Sequence, residues 1–142
     1  MIVYVDSSFL VAAYVRDAHS AEVLRRLSAK PRISITPFNR SELANAIYRQ
    51  AFHGRLAPAD TQLAWNSFEF DFRAGVWEYR DFPSQTWETC AGLAKRYGPT
   101  FGVRTLDSLH VACALELKAQ KFWTFDDRQV RLAEAVGLDT TA

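Results

Sequence analysis

Cysteine and histidine are scarce in this 142-residue chain, with two of the former and three of the latter. Cys90 and Cys113 each fall in a stretch that reads as helix, and neither begins a CxxC pair or joins a Cys/His cluster. That argues against a disulfide scaffold or a zinc site and leaves two small thiols suited to burial in a reduced compartment. Charge of one sign is also lacking. Lys and Arg total 17 against 16 Asp and Glu, so no global basic field announces a nucleic-acid partner, and any such binding must rest on a local patch. Long hydrophobic runs are missing too. Asp6 interrupts the N-terminal apolar segment, and the run from Phe9 to Val15 ends at Arg16 and Asp17, far short of the ~20 residues that span a bilayer. Without a basic segment leading into a long apolar one, a signal peptide is not expected. The expectation is a cytoplasmic protein with no membrane association.

What is present is enough apolar material, 49% of residues, for one domain spanning residues 1–142. Ile2 to Val5 reads as a buried strand stopped by Asp6-Ser7-Ser8. Ser7 or Ser8 is placed to cap a helix with Phe9, Leu10, Ala13 and Tyr14 on one face. A second helix from about Ser20 to Ala29 buries Val23, Leu24 and Leu27, and Arg32 to Thr36 forms the next strand. Thr36-Pro37 has the form of an N-cap with proline at the first helical position, opening a helix to about Phe52 with Leu43, Ile47 and Ala51 inward. Pro58 opens another, carrying Leu63, Trp65, Phe68 and Phe72. Val76 to Phe82 is a predicted third strand, and Ser84 a predicted cap for a helix with Trp87, Ala91, Ala94 and Tyr97, stopped by Gly98-Pro99. After a loop from Thr100 to Arg104 come a helix from Thr105 to about Lys118, the strand Phe122 to Phe125 and a final helix from Asp127 to Val136. There is no internal repeat. Alternation of strands and helices predicts an α/β fold with a central parallel sheet covered on both faces.

In such a sheet Asp6 and Asp126, which end the first and last apolar runs, both emerge at the carboxyl edge, where open α/β sheets bind ligands. Glu42 and Asp107 lie early in predicted helices and join them as candidates. Helix capping explains each acid singly, at about 0.5–2 kcal/mol; Asp126 with Gln129 matches a capping box, as does Asn39 with Glu42 if that helix starts later. Capping does not require convergence, however. Two carboxylates ~4 Å apart repel by about 4 kcal/mol at an effective dielectric near 20, and a hard divalent cation bound by oxygen ligands, Mg²⁺ or Mn²⁺, relieves that repulsion. His110, three residues after Asp107, shares its helix face and reads either as a ligand or base or as a core histidine bonded to a neighbour.

The block Arg104-Thr105-Leu106-Asp107-Ser108-Leu109-His110-Val111-Ala112, followed by Trp123-Thr124-Phe125-Asp126, resembles the PIN-domain ribonucleases, in particular the VapC-type toxins of bacterial toxin–antitoxin pairs. Asp6-Ser7-Ser8 after an apolar strand resembles that family's opening D-[ST]-[SN], and the Thr-Pro turn before Glu42 fits its order of features. The resemblance spans nearly the whole chain and implies a three-layer α/β/α sandwich. It also implies an acidic quartet of Asp6, Glu42, Asp107 and Asp126, with Asp6, Asp107 and Asp126 as metal ligands and Thr124 orienting a carboxylate or water. Asp127 doubles the fourth acid; the strand-end position favours Asp126.

The implied activity is Mg²⁺-dependent hydrolysis of RNA phosphodiester bonds, with Mn²⁺ as the alternative ion, by a toxin held by a cognate VapB-like antitoxin. A homodimer or a toxin–antitoxin hetero-oligomer is the implied assembly. Arg104 and Arg128, close in sequence to Asp107 and Asp126, are placed to meet phosphate oxygens or to form plain surface ion pairs. Phe101, in the predicted loop before the Asp107 helix, is a candidate for stacking on an RNA base. Competing readings are a PIN nuclease in RNA processing without an antitoxin, a non-catalytic acidic module gripping a basic peptide, and an aspartyl-phosphate phosphatase. Ser8 counts against the last, since it stands where the second acid of D-x-D belongs. A receiver domain is disfavoured because only one acid, Asp6, follows the first strand.

Overall fold

The computed structural model describes residues 1–142. Its strands β1 (Ile2–Val5), β2 (Arg32–Ile35), β3 (Trp77–Tyr79) and β4 (Lys121–Trp123) form one sheet in the order β3-β2-β1-β4. All pairings are parallel, with Tyr4 of β1 opposite Ser34 on one side and Phe122 on the other. Parallel neighbours require crossovers, here made by α1 (Ser7–Tyr14), α2 (Ser20–Ser28), α3 (Pro37–Phe52), α4 (Pro58–Arg73), α5 (Thr86–Phe101) and α6 (Thr105–Glu116), while α7 (Asp127–Ala135) follows the last strand.

Side chains alternate across a strand, and β1 therefore feeds two separate cores. Val3 and Val5 pack with Phe9, Ile33, Leu43, Ile47 and Phe68 under α1 to α4. Tyr4 points the other way, into Leu109, Val111, Phe122 and Leu132 under α5 to α7, and stacks on Phe122 at 5.6 Å. The result is the expected α/β/α sandwich. Ile47, fully buried in the first core, shows what is at stake: truncation to Ala would cost about 2–5 kcal/mol.

Several local expectations are corrected. Asp6 itself, and neither Ser7 nor Ser8, is the N-cap of α1, its carboxylate accepting from the Phe9 N–H at 3.1 Å. Thr36 leaves β2 to cap α3, and its own N–H donates to Asn39 Oδ1 at 2.8 Å, so the capping box pairs Thr36 with Asn39 and leaves Glu42 free. The third strand is only Trp77–Tyr79, and α5 starts at Thr86 after Gln85, with no cap from Ser84. Gly98-Pro99 does not stop α5. Proline removes one N–H, but the helix continues to Gly102, which adopts φ 60° and donates to the Gly98 carbonyl at 2.9 Å. Leu24, Leu63 and Trp87 are 61–63% exposed, against the expectation that they face inward. Successive helical residues diverge by about 100°, so with Val23 buried, Leu24 points away from the sheet.

Candidate functional site

Asp6 ends β1 and begins α1 at the carboxyl edge of the sheet, only 2% exposed. Its Oδ1 accepts from Ser8 Oγ at 2.7 Å and from the Phe9 N–H, while Oδ2 accepts from Thr124 Oγ1 at 2.7 Å. Burial raises the Asp6 carboxyl above its ordinary range, opposed by the nearby His110 and by these donors. Thr124 in turn accepts from the Asp126 N–H at 3.0 Å, and Ser8 Oγ from the Phe125 N–H at 3.1 Å. Two hydroxyls thus pin the turn after β4 onto the carboxylate that follows β1.

Glu42, in the second turn of α3, meets His110 Nε2 of α6. The other imidazole nitrogen, Nδ1, lies 2.8 Å from the Tyr4 hydroxyl. The proton positions follow from the far end of this chain of bonds. Asn39 Oδ1 is occupied as an acceptor by Thr36, so Asn39 Nδ2 donates, to the Val5 carbonyl at 2.9 Å and the Tyr4 hydroxyl at 3.2 Å. Burial keeps the Tyr4 phenol protonated, its pKa well above the ordinary value. With one lone pair taken by Asn39, the hydroxyl gives its proton to His110 Nδ1, a better acceptor than the adjacent Cys113 thiol. Nε2 is then the N–H that holds Glu42. The core-histidine reading of His110 is therefore joined to the acid site, through a partner 68 residues away. Neither Asn39 nor Tyr4 carried a sequence signal for this role beyond the Thr-x-x-Asn spacing of the cap.

Asp107, third residue of α6, accepts from Gln129 Nε2 at 3.0 Å and from the Arg104 N–H at 3.3 Å. Asp126 caps α7, its Oδ1 accepting from the N–H groups of Arg128 and Gln129 at 2.8 and 3.2 Å. The expected Asp126/Gln129 box is only half made, because the Gln129 side chain crosses to Asp107 instead. Gln129 is buried and thereby joins α6 to α7. Thr124 links Asp126 to Asp6, whereas Asp127 is exposed on the first turn of α7. Arg104 and Arg128 are exposed and form no ion pair, which leaves both guanidinium groups uncommitted. Phe101 is no free stacking surface: it ends α5, stacks on Tyr97 at 5.7 Å and packs against the second core.

The donor set is entirely oxygen and so suits a hard divalent cation. Oδ2 of Asp126 and Oε2 of Glu42 accept no protein hydrogen bond. No three acidic, histidine or cysteine side chains close into a preformed cage. No helix is long and apolar enough to cross a membrane.

No curated protein matches the chain in sequence. Among solved structures it is similar in fold to VapC20 of Mycobacterium tuberculosis, a toxin that cleaves the sarcin-ricin loop, with TM-score 0.71, 18% identity and 98% of each chain covered. VapBC2 of Rickettsia felis, solved on a DNA fragment from its promoter, gives TM-score 0.69 at 16% identity over 99% of this chain and 98% of that one. FitAcB of Neisseria gonorrhoeae gives 0.67 at 13% identity over 100% and 97%. The sequence profile described as the PIN domain matches residues 3–135. With that match covering almost its whole length and the acids arranged at the edge of a four-stranded parallel sheet, the chain belongs to the PIN-domain family.

Proposed function

We propose that this protein is a metal-dependent endoribonuclease, the toxin of a toxin–antitoxin pair. The observation that carries this reading is the bonded network at one sheet edge that joins Asp6 through Thr124 to Asp126, and Asp126 through Gln129 to Asp107, in a chain of the PIN family. Asp6, Asp107 and Asp126 would hold Mg²⁺, or Mn²⁺ in its place, with Glu42 as the fourth acid. Such an ion, when bound, lowers the pKa of a water and polarises a phosphoryl group.

The chain's own groups mainly position. Ser8 and Thr124 aim the buried Asp6 carboxylate, and Gln129 holds Asp107. The Nε2–H of His110 restrains one oxygen of Glu42 and leaves the other without a protein partner. Arg104 and Arg128, unpaired beside the acids, supply cationic groups for the phosphates of an RNA strand. That compensates locally for a chain with no net basic field.

RNA as the substrate draws support from the VapC20 likeness, and an antitoxin partner from the likeness to VapBC2, FitAcB and a toxin–antitoxin complex of Klebsiella pneumoniae. The partner is a VapB-like antitoxin, the assembly a homodimer or toxin–antitoxin hetero-oligomer, and the site of action the cytoplasm. Incubating purified protein with total cellular RNA in Mg²⁺, with and without exhaustive chelation, tests the reading. Cleavage at defined sites that chelation abolishes is expected; undiminished cleavage under chelation would overturn the metal dependence, and no cleavage at all the activity.

A further inference from the structure

Beside the acids lies a cleft of about 400 Å³ lined by Ser8, Asp17, His19, Phe125 and Asp126 among others. One wall is a column of near-parallel rings. Phe9 is fully buried; Phe125 lies 6.0 Å from it with the planes 10° apart, and His19 lies 4.1 Å from Phe125 with the planes 7° apart. The column runs from the core to the surface and ends in an exposed imidazole.

Nothing else in the protein uses that ring. The backbone N–H of His19 donates to Asp17 Oδ1 at 2.7 Å and its side chain caps no helix and makes no hydrogen bond. The loop before α2 is nonetheless held, because Ser20 Oγ accepts from the Asp17 N–H at 2.9 Å and donates to the Ala12 carbonyl at 2.8 Å. At the other end, the Phe125 N–H is tied to Ser8, itself bonded to Asp6. The platform is thus fixed relative to the acids by two hydrogen bonds.

We propose that the exposed face of His19 is a stacking shelf for one unpaired nucleobase of the RNA, neighbouring the phosphate presented to the acids. The inference rests on the ribonuclease reading above. An uncharged planar base fits what the cleft offers. The carboxylate of Asp17, which has no part in holding the cation, disfavours a phosphate on this side of the cleft, whereas a base stacks on an aromatic ring whatever its identity. The unused imidazole nitrogens can then hydrogen-bond to a neighbouring base edge or ribose.

Fluorescence anisotropy in the Asp107→Asn background, with Mg²⁺ present, tests this. The probes are short homopolymeric single-stranded RNAs and a base-less ribose-phosphate oligomer of the same length. His19→Ala is expected to weaken binding of the base-bearing RNAs by roughly 5–150-fold, the range for losing one stacked base, and His19→Tyr to restore most of it. The base-less oligomer should bind all three proteins alike. No loss in His19→Ala, or an equal loss on the base-less oligomer, overturns the shelf and leaves the ribonuclease reading standing. Failure of the parent to bind any of these RNAs also overturns it, and if the unsubstituted protein cleaves no RNA the ribonuclease reading falls too.

Discussion

His110 donates from Nε2 to the Glu42 carboxylate across the junction of α6 and α3, with its own side chain 2% exposed and that of Glu42 19% exposed. A buried donor thus grips an acid at the rim of the site. His110→Phe should leave Glu42 unanchored and lower RNA cleavage by roughly 10–100-fold, as expected for a group that orients an active-site ligand. His110→Gln, which keeps an N–H donor, should recover part of the loss. Steady-state kinetics check this: the decrease should fall in kcat with KM little changed, and equal behaviour of the two variants would count against orientation.

Asp107→Asn should abolish cleavage and growth arrest while the protein stays folded. The amide oxygen can still accept from Gln129 Nε2, and the bond given up is the longer one, from the Arg104 N–H at 3.3 Å, so the stability change should stay near about 1 kcal/mol. A cleavage assay beside a thermal melt reads both quantities.

Thr124 serves both Asp6 and Asp126 with one hydroxyl. Thr124→Val keeps the shape and removes both bonds, leaving the buried Asp6 short of a donor at a cost of about 1–3 kcal/mol. Thr124→Ser should restore stability and cleavage together. Denaturant unfolding of the two variants measures the difference.

Burial pushes the Cys113 thiol from 9.0 up to about 11. As pH rises past 9 the unfolded chain gives up this proton first, so the native state holds more protons and stability falls with pH. The contribution is whole below pH 9 and is lost as pH passes about 11, amounting to roughly 2–3 kcal/mol. Tyr4, raised by the same burial, adds to this alkaline limb. Unfolding free energies measured against pH should fall less steeply in Cys113→Ala.

Much of this architecture was legible in the chain because it is written locally. The β-branched run Ile2–Val5, the Thr36-Pro37 start of α3 and the strand-helix alternation each depend on neighbours in sequence. The convergence of Asp6 with Asp126 followed from parallel topology alone. What escaped depends on long-range pairing. Nothing near His110 announces Glu42, and nothing near Gln129 announces Asp107, since each partner arrives on another helix. Phe101 reads as part of a loop before the Asp107 helix, yet α5 runs on through Gly98-Pro99 and packs it against the second core, while the exposed ring column ends at His19, in a segment that carries no motif. Helical period likewise marked apolar faces without fixing their width, hence the outward Leu24 and Leu63.

The strand order β3-β2-β1-β4 puts the first strand of the chain beside the last. During synthesis, which runs from the N-terminus, Asp6 emerges 118 residues before Thr124, its partner across the sheet edge. A nascent or prematurely ended chain therefore carries Asp6 and Glu42 without an assembled edge.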